Sequence, residues 1–275
     1  MKLIVCSLQD KASINIRNSI FSSYRWSYEG EFDDNEVYSN GENLLVSINE
    51  LHLNADNIEK DISEKMGYEV EEIIFLSRHK AASGIHTLTV HPIGNYLTAE
   101  YGGLDRTLVP AMPRRMTQML REMKRLASNL DFEVSFEVTH HGPYATRPTC
   151  FIEIGSDQSM WDNLEAAGVI AKSVMIAEVS DDPVAIGIGG GHYAPRFSEV
   201  ALTKKISFGH MIPSYVLEKL DDEGIERTLR MAAENTPNVR YAYIHRKAMK
   251  RSDVTKMLSL LAKIGLEIVD SQSLP

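Results

Sequence analysis

Only two of the 275 residues are cysteine, Cys6 and Cys150, and each sits inside an apolar, strand-like run. That excludes a disulfide framework and points to buried thiols. Long hydrophobic runs are missing as well. The stretch from Lys2 to Leu8 is too short for a signal or membrane helix, and no later segment approaches the length of a span, so a cytoplasmic protein is expected. Nor is there a basic excess: the net charge is −9, which argues against a nucleic-acid partner. The distribution of charge reverses that argument. Residues 29–72 hold fourteen acids against Lys60 and Lys65, a local charge of −12, and leave the rest of the chain at +3.

What is present suits one folded α/β unit. The chain is long enough for a full core, and 43% hydrophobic content is ordinary for a globular protein. From Asp131 onward, strand patterns alternate with helix patterns, which predicts a mixed, largely parallel sheet flanked by helices. A single domain over 1–275 is expected, with the acidic stretch at about 29–72 resembling an insertion. In such sheets ligands collect at the carboxyl ends of strands. His79, His140, His141, His192, His210 and His245 all fall at or just past the end of a predicted strand.

Two segments concentrate the chemistry. In one, Phe132, Val134, Phe136 and Val138 alternate with polar residues and lead into Thr139-His140-His141, while Cys150, Ile152 and Ile154 alternate with Phe151 and Glu153. If these two strands pair as a hairpin, Glu137 and Glu153 share a face beside the histidines, as a zinc site or an acid–base site requires. In the other, His79, His86 and His91 occur among glycine and serine; His86 and His91 fall on opposite faces of a short strand, so at most one joins His79.

The run Gly187-Ile-Gly-Gly-Gly-His192 is not a dinucleotide fingerprint, because His192 occupies the third glycine's place. It could instead offer the amides of Gly189, Gly190 and Gly191 to an anion. Ser77 and Ser156 are possible nucleophiles, but no G-x-S-x-G elbow is present. Basic residues cluster twice: Arg114, Arg115, Arg121, Lys124 and Arg125, then a second group containing Lys247, Lys250 and Arg251.

Four ordered motifs, SRHKAASGIHTLTVHPIGN (77–95), EVTHHGPYATRPTCFIEIGS (137–156), GIGGGHYAPRF (187–197) and FGHM (208–211), resemble those of the archaeal- and plant-type D-aminoacyl-tRNA deacylases. The resemblance spans nearly the whole chain. It implies a zinc-containing enzyme that cleaves the ester between a D-amino acid and tRNA, on a phosphorylase/hydrolase-like α/β fold with a likeness to bacterial peptidyl-tRNA hydrolases. It does not assign roles to individual residues.

Chemistry suggests the assignments. His79, His140, Glu153 and His192 are expected to hold Zn2+, with Glu137 and His141 orienting ligands or moving protons. Gly189, Gly190 and Gly191 are expected to meet the oxyanion or the terminal phosphate, and Arg114, Arg115, Lys247, Lys250 and Arg251 the tRNA. The protein is expected to act as a monomer without an obligate protein partner. A nucleoside phosphorylase or hydrolase of the same fold class and a non-catalytic tRNA-binding protein are the alternatives.

Overall fold

The computed structural model describes residues 1–82 and 84–274; Ser83, inside the first motif, and Pro275 lie outside the described residues. The chain opens with strands β1 (Lys2–Ser7), β2 (Ser27–Phe32), β3 (Asn35–Ser39), β4 (Asn43–Ile48), β5 (Glu72–Arg78) and β6 (Thr87–Pro92). A short ribbon, β7 (Gly94–Asn95) with β8 (Thr107–Leu108), precedes β9 (Glu133–Phe136) and β10 (Thr149–Gly155). Apart from that ribbon, these build an eight-stranded sheet in the order β2-β3-β4-β1-β5-β10-β6-β9. Strands β11 (Val184–Ile188), β12 (Ser207–Ile212), β13 (Val239–Ile244) and β14 (Glu267–Val269) form a second, all-parallel sheet in the order β12-β11-β13-β14.

The middle of the large sheet is a parallel block, β4, β1, β5 and β10. Its strands are near-continuous runs of Val, Ile, Leu and Phe, buried along their length, as strands covered on both faces must be. One face carries the helices Lys11–Ser23 and Leu164–Ile176; the helix Ile58–Met66 packs on the other. The acidic stretch is therefore not set apart from the fold. Its strand β4 pairs with β1 over six residues, and most of its acids are exposed, Glu59 and Glu72 being turned inward.

The helix Pro113–Leu126 joins the two sheets. Proline at its first turn suits a helix start. Met116, Met119, Leu120 and Met123 are fully buried along one stripe, each contributing roughly 1.5–3 kcal/mol of transfer free energy. They belong to one hydrophobic cluster that also takes in Ala185, Phe208 and Tyr243 of the second sheet. Cys6 and Cys150 are free, buried thiols.

The expected hairpin does not form. β6 stands between the two strands, antiparallel to β10 and parallel to β9. Since β6 and β9 run against the parallel block, the chemistry collects on a face of the sheet where strands of both directions meet, and not only along a carboxyl edge. The register shows how: Thr89 lies opposite Glu153, and His91 opposite Phe151. Glu137 directly follows Phe136, the partner of Val90, and so comes level with His91.

Candidate active site

The site is built from five segments. His79 is the first residue after β5, fixed by its amide donating to Ile154 O (2.9 Å) and by the Trp161 indole donating to its carbonyl (3.0 Å). The turn that carries it is braced by Asp10. One carboxylate oxygen of Asp10 caps the helix Lys11–Ser23 at Ser13 N–H, and the other accepts the Arg78 amide at 2.9 Å. His91 comes from β6, Glu153 from β10, and Glu137, His140 and His141 from the segment after β9. The second sheet contributes His192.

The segment after β9 is laced to the second sheet. Ala194 N–H donates to Phe136 O, Val138 N–H to His192 O, and Thr139 N–H to Met211 O. These bonds bring the glycine-rich loop after β11 over the face of the large sheet and deliver His192.

Glu137 is the hub. Its carboxylate is fully buried and lies 3.2 Å from His79 Nδ1, 3.6 Å from His140 Nε2 and 2.9 Å from His192 Nε2. Glu153 lies 3.5 Å from His79 Nδ1 and 3.7 Å from His91 Nε2. Burial pushes both carboxyls up, but the imidazoles outweigh it: Glu153 is held well below the usual carboxylate range by His79 and His91, and Glu137 is held down chiefly by His192. The partners move oppositely. Burial lowers His79 and His91, and their carboxylates more than restore them, leaving both raised. Burial dominates at His140, well below its ordinary value, and at His141, lowered to about 4.

Three of these rings have their tautomer fixed by the backbone. Nδ1–H of His91, His140 and His141 donates to the carbonyls of Pro92 (3.2 Å), Val138 (2.7 Å) and Gly142 (2.6 Å). Each therefore presents the Nε2 lone pair, and each of the three rings has a nitrogen within 4.8 Å of one on the others. A carbonyl behind each ring is how proteins orient histidines toward a metal. Two further groups meet the same distance condition: His79, Glu137 and His192, and His91, Glu137 and Glu153. His91 Nε2 and both oxygens of Glu137 are buried without a hydrogen-bond partner among the described residues. Such groups cost several kcal/mol to bury unless something satisfies them. A divalent cation would, and imidazole with carboxylate is a zinc donor set.

The expected residues are distributed as follows. His79, His140, Glu153 and His192 all enter the cluster, alongside Glu137 and His141, but the tight trios cut across the expected division into ligands and proton carriers. His91 is absent from the expected set, although the alternation with His86 leaves it as an inward candidate; His86 itself is half-buried beside Asp131, away from the cluster. His210 is a core residue: its Nε2–H donates to Val109 O (2.9 Å) and its Nδ1 accepts from the Thr139 hydroxyl (3.0 Å). His245 faces a different cleft.

The three-amide nest is a correction. Gly189 N–H donates to Ile212 O and Gly190 N–H to Ser214 Oγ, so two of the three amides, leaving Gly191, are already committed. Arg114 and Arg115 are also turned inward. Arg114 donates to Asp182 O, and Arg115 to Ala177 O and, at 2.6 Å, to the Glu72 carboxylate. Lys247, Lys250 and Arg251 lie at the surface. The cluster opens into a cleft of about 330 Å³ whose mouth includes Leu51, Leu53, Lys80 and Tyr101. A buried acid–imidazole cluster reached from solvent by such a cleft can take a proton, give one, and hold a cation against a bound ester.

The profile of a family described as D-aminoacyl-tRNA deacylase matches residues 66–269. Curated D-aminoacyl-tRNA deacylases of Methanosarcina acetivorans and Pyrococcus furiosus are 37% and 35% identical to the chain. The first alignment covers 97% of this chain and 91% of the relative; the second covers 98% and 99%. A crystal structure of a conserved protein of unknown function superposes with a TM-score of 0.88 at 31% identity, covering 99% of this chain and 95% of that one.

Proposed function

The chain belongs to the D-aminoacyl-tRNA deacylase family, and we propose that its cluster of five histidines and two glutamates is the zinc centre where the family's reaction takes place. The protein is a hydrolase that cleaves the ester of D-aminoacyl-tRNA, releasing the D-amino acid and free tRNA. The buried Nε2 of His91 and carboxylate of Glu137, without hydrogen-bond partners among the described residues, carry the metal reading. Seven donors exceed the four of one tetrahedral zinc, which favours two ions. His91, His140 and His141 would hold one and His79, Glu137 and His192 the other, with the Glu153 carboxylate beside His79 and His91. When bound, zinc supplies a Lewis acid for the ester carbonyl and lowers the pKa of water to about 7.

The chain's own groups supply the rest. The Tyr193 hydroxyl lies 3.0 Å from His79 Nε2, and His79 Nδ1 faces Glu137 and Glu153. With Nδ1 turned to the ion, His79 would keep its proton on Nε2, donated to the Tyr193 oxygen, and that bond fixes the ring beside the bound ester. Lys80 at the mouth of the cleft offers a cation to the incoming substrate. No described helix is long and apolar enough to cross a membrane, and a tRNA substrate suits a cytoplasmic enzyme.

Matched D- and L-tyrosyl-tRNA, hydrolysed with and without a chelator, test the reading. Fast release from the D-form alone, lost on chelation and restored by zinc, is expected. A rate that survives removal of all metal would remove zinc from the account.

A further inference from the structure

A second cleft, of about 660 Å³, lies where the carboxyl end of β13 and the turn after β14 meet the start of the helix Pro195–Thr203. Its walls include Arg196, Tyr243, His245, Arg246, Lys247 and Gln272, together with the carboxylates of Glu199 and Asp270. One side is rigid: Arg196 Nε donates to the Tyr243 hydroxyl at 3.0 Å, and Arg196 and Tyr243 both bond the Ser271 hydroxyl. The other side is charged and open. Arg246 and Lys247 take part in no ion pair among the described residues, whereas Arg115, Arg121, Arg230 and Arg240 are all paired.

This cleft adjoins the histidine cluster across a single loop. A Cβ added to Gly190 would stand 3.3 Å from His245 Nδ1, on the cleft side. Two residues on, His192 reaches Glu137. Pro195 and Arg196, just beyond, line the cleft again.

We propose that this cleft receives the unpaired nucleotides next to the aminoacylated end of the tRNA. The proposal rests on the deacylase reading, which puts the terminal ribose at the cluster; a strand that leaves the cluster over the glycine loop brings the neighbouring nucleotides to this cleft. Arg246 and Lys247 are suited to a phosphate, and Gln272 and the His245 ring to a base edge or face. A volume of this size can enclose a small ligand, so it admits a splayed nucleotide where a duplex could not enter. A side chain at 190 would press on the His245 ring that lines the cleft, besides straining a backbone held at φ +96°.

The test is steady-state kinetics on D-tyrosyl-tRNA, with the trinucleotide cytidylyl-cytidylyl-adenosine as competitor. In the double variant Arg246→Ala/Lys247→Ala, KM should rise at least tenfold with kcat within twofold of wild type. The trinucleotide should inhibit wild type and lose most of its potency against the variant. Gln272→Ala should shift KM in the same direction, while Arg230→Ala, on a distant helix, should shift nothing. An unchanged KM in the double variant, or a blunt-ended RNA duplex that competes as well as the trinucleotide, would overturn the assignment. Should wild type leave D-tyrosyl-tRNA intact, the deacylase reading fails instead. Anisotropy of labelled trinucleotide then decides the cleft separately: binding abolished in the double variant upholds it, and no binding to wild type rejects it.

Discussion

His192 Nε2 stands 2.9 Å from Glu137 Oε2, yet that oxygen has no hydrogen-bond partner among the described residues. The nitrogen is close but not aligned to donate. Two ligand atoms placed to share a cation behave this way, whereas an acid–base pair would align. Glu137→Gln keeps the shape and removes the charge. Its kcat/KM on D-tyrosyl-tRNA should fall about 100-fold or more, roughly 2.7 kcal/mol of transition-state stabilisation, with zinc per chain falling alongside. A variant that keeps full zinc and full rate would refute the role of Glu137 as hub.

His91 is fully buried, and its Nε2 has no hydrogen-bond partner among the described residues. His91→Ala should therefore lose metal without losing the fold. The measurements are metal content by atomic absorption and circular dichroism. Retained zinc would leave the ring a packing role against Phe151 and His140.

Gly142 is set by close approach of backbone. A Cβ there would lie 2.2 Å from Gly103 N and 2.3 Å from Gly102 C, and its amide already donates to Tyr101 O. Gly142→Ala must push the 101–103 loop away or drag His141 out of place. We expect a loss of roughly 1–3 kcal/mol of stability, read from urea midpoints, together with reduced kcat. An active variant of unchanged stability would mean that the loop yields freely.

Acid should destabilise the protein through its core histidines. His210 is lowered to about 4 and His52 to about 3, in each case chiefly by burial. Their folded pKa values lie below the unfolded value, so the unfolded chain binds protons first. The stabilisation is complete above about pH 6.5 and is lost as pH falls toward those lower values. For His210 that amounts to about 3 kcal/mol. In His210→Asn, stability should depend less steeply on pH between 6.5 and 4; an unchanged pH dependence by urea titration would refute the assignment.

The two basic groups should separate cleanly. Lys247→Ala/Lys250→Ala/Arg251→Ala should weaken tRNA binding and reduce its salt dependence, by a slope of roughly 0.7–0.9 for each phosphate left without its cation. Arg115→Ala breaks a partly buried bond to Glu72 and should lower the melting temperature while leaving the salt slope alone. The reverse pattern would place the RNA on the other face.

Much of the molecule is legible in local pattern. The alternation of strands and helices, the methionine stripe of Pro113–Leu126 and the convergence of His79, His140, His141 and His192 all follow from periodicity and from where strands end. The features that escape it depend on long-range pairing. Nothing within Thr87–Pro92 says that this strand runs backwards between β10 and β9, yet that position brings His91 beside Glu137. The glycines read as exposed amides because their acceptors, Ile212 and Ser214, lie more than twenty residues away. Arg114 and Arg115 look like a basic face until Asp182 and Glu72 fold against them.

The cluster is divided between the two sheets: His192 arrives from the second, and its companions belong to the first. Catalytic competence is thus a property of the seam, held by a few main-chain bonds such as Val138 N–H to His192 O. Wear at that seam, from a substitution at Phe197 or Met211, would part the ligands while each sheet remained folded. Deacylation would then fade before spectroscopy registered any damage, and the rate itself would be the earliest witness of a loosening molecule.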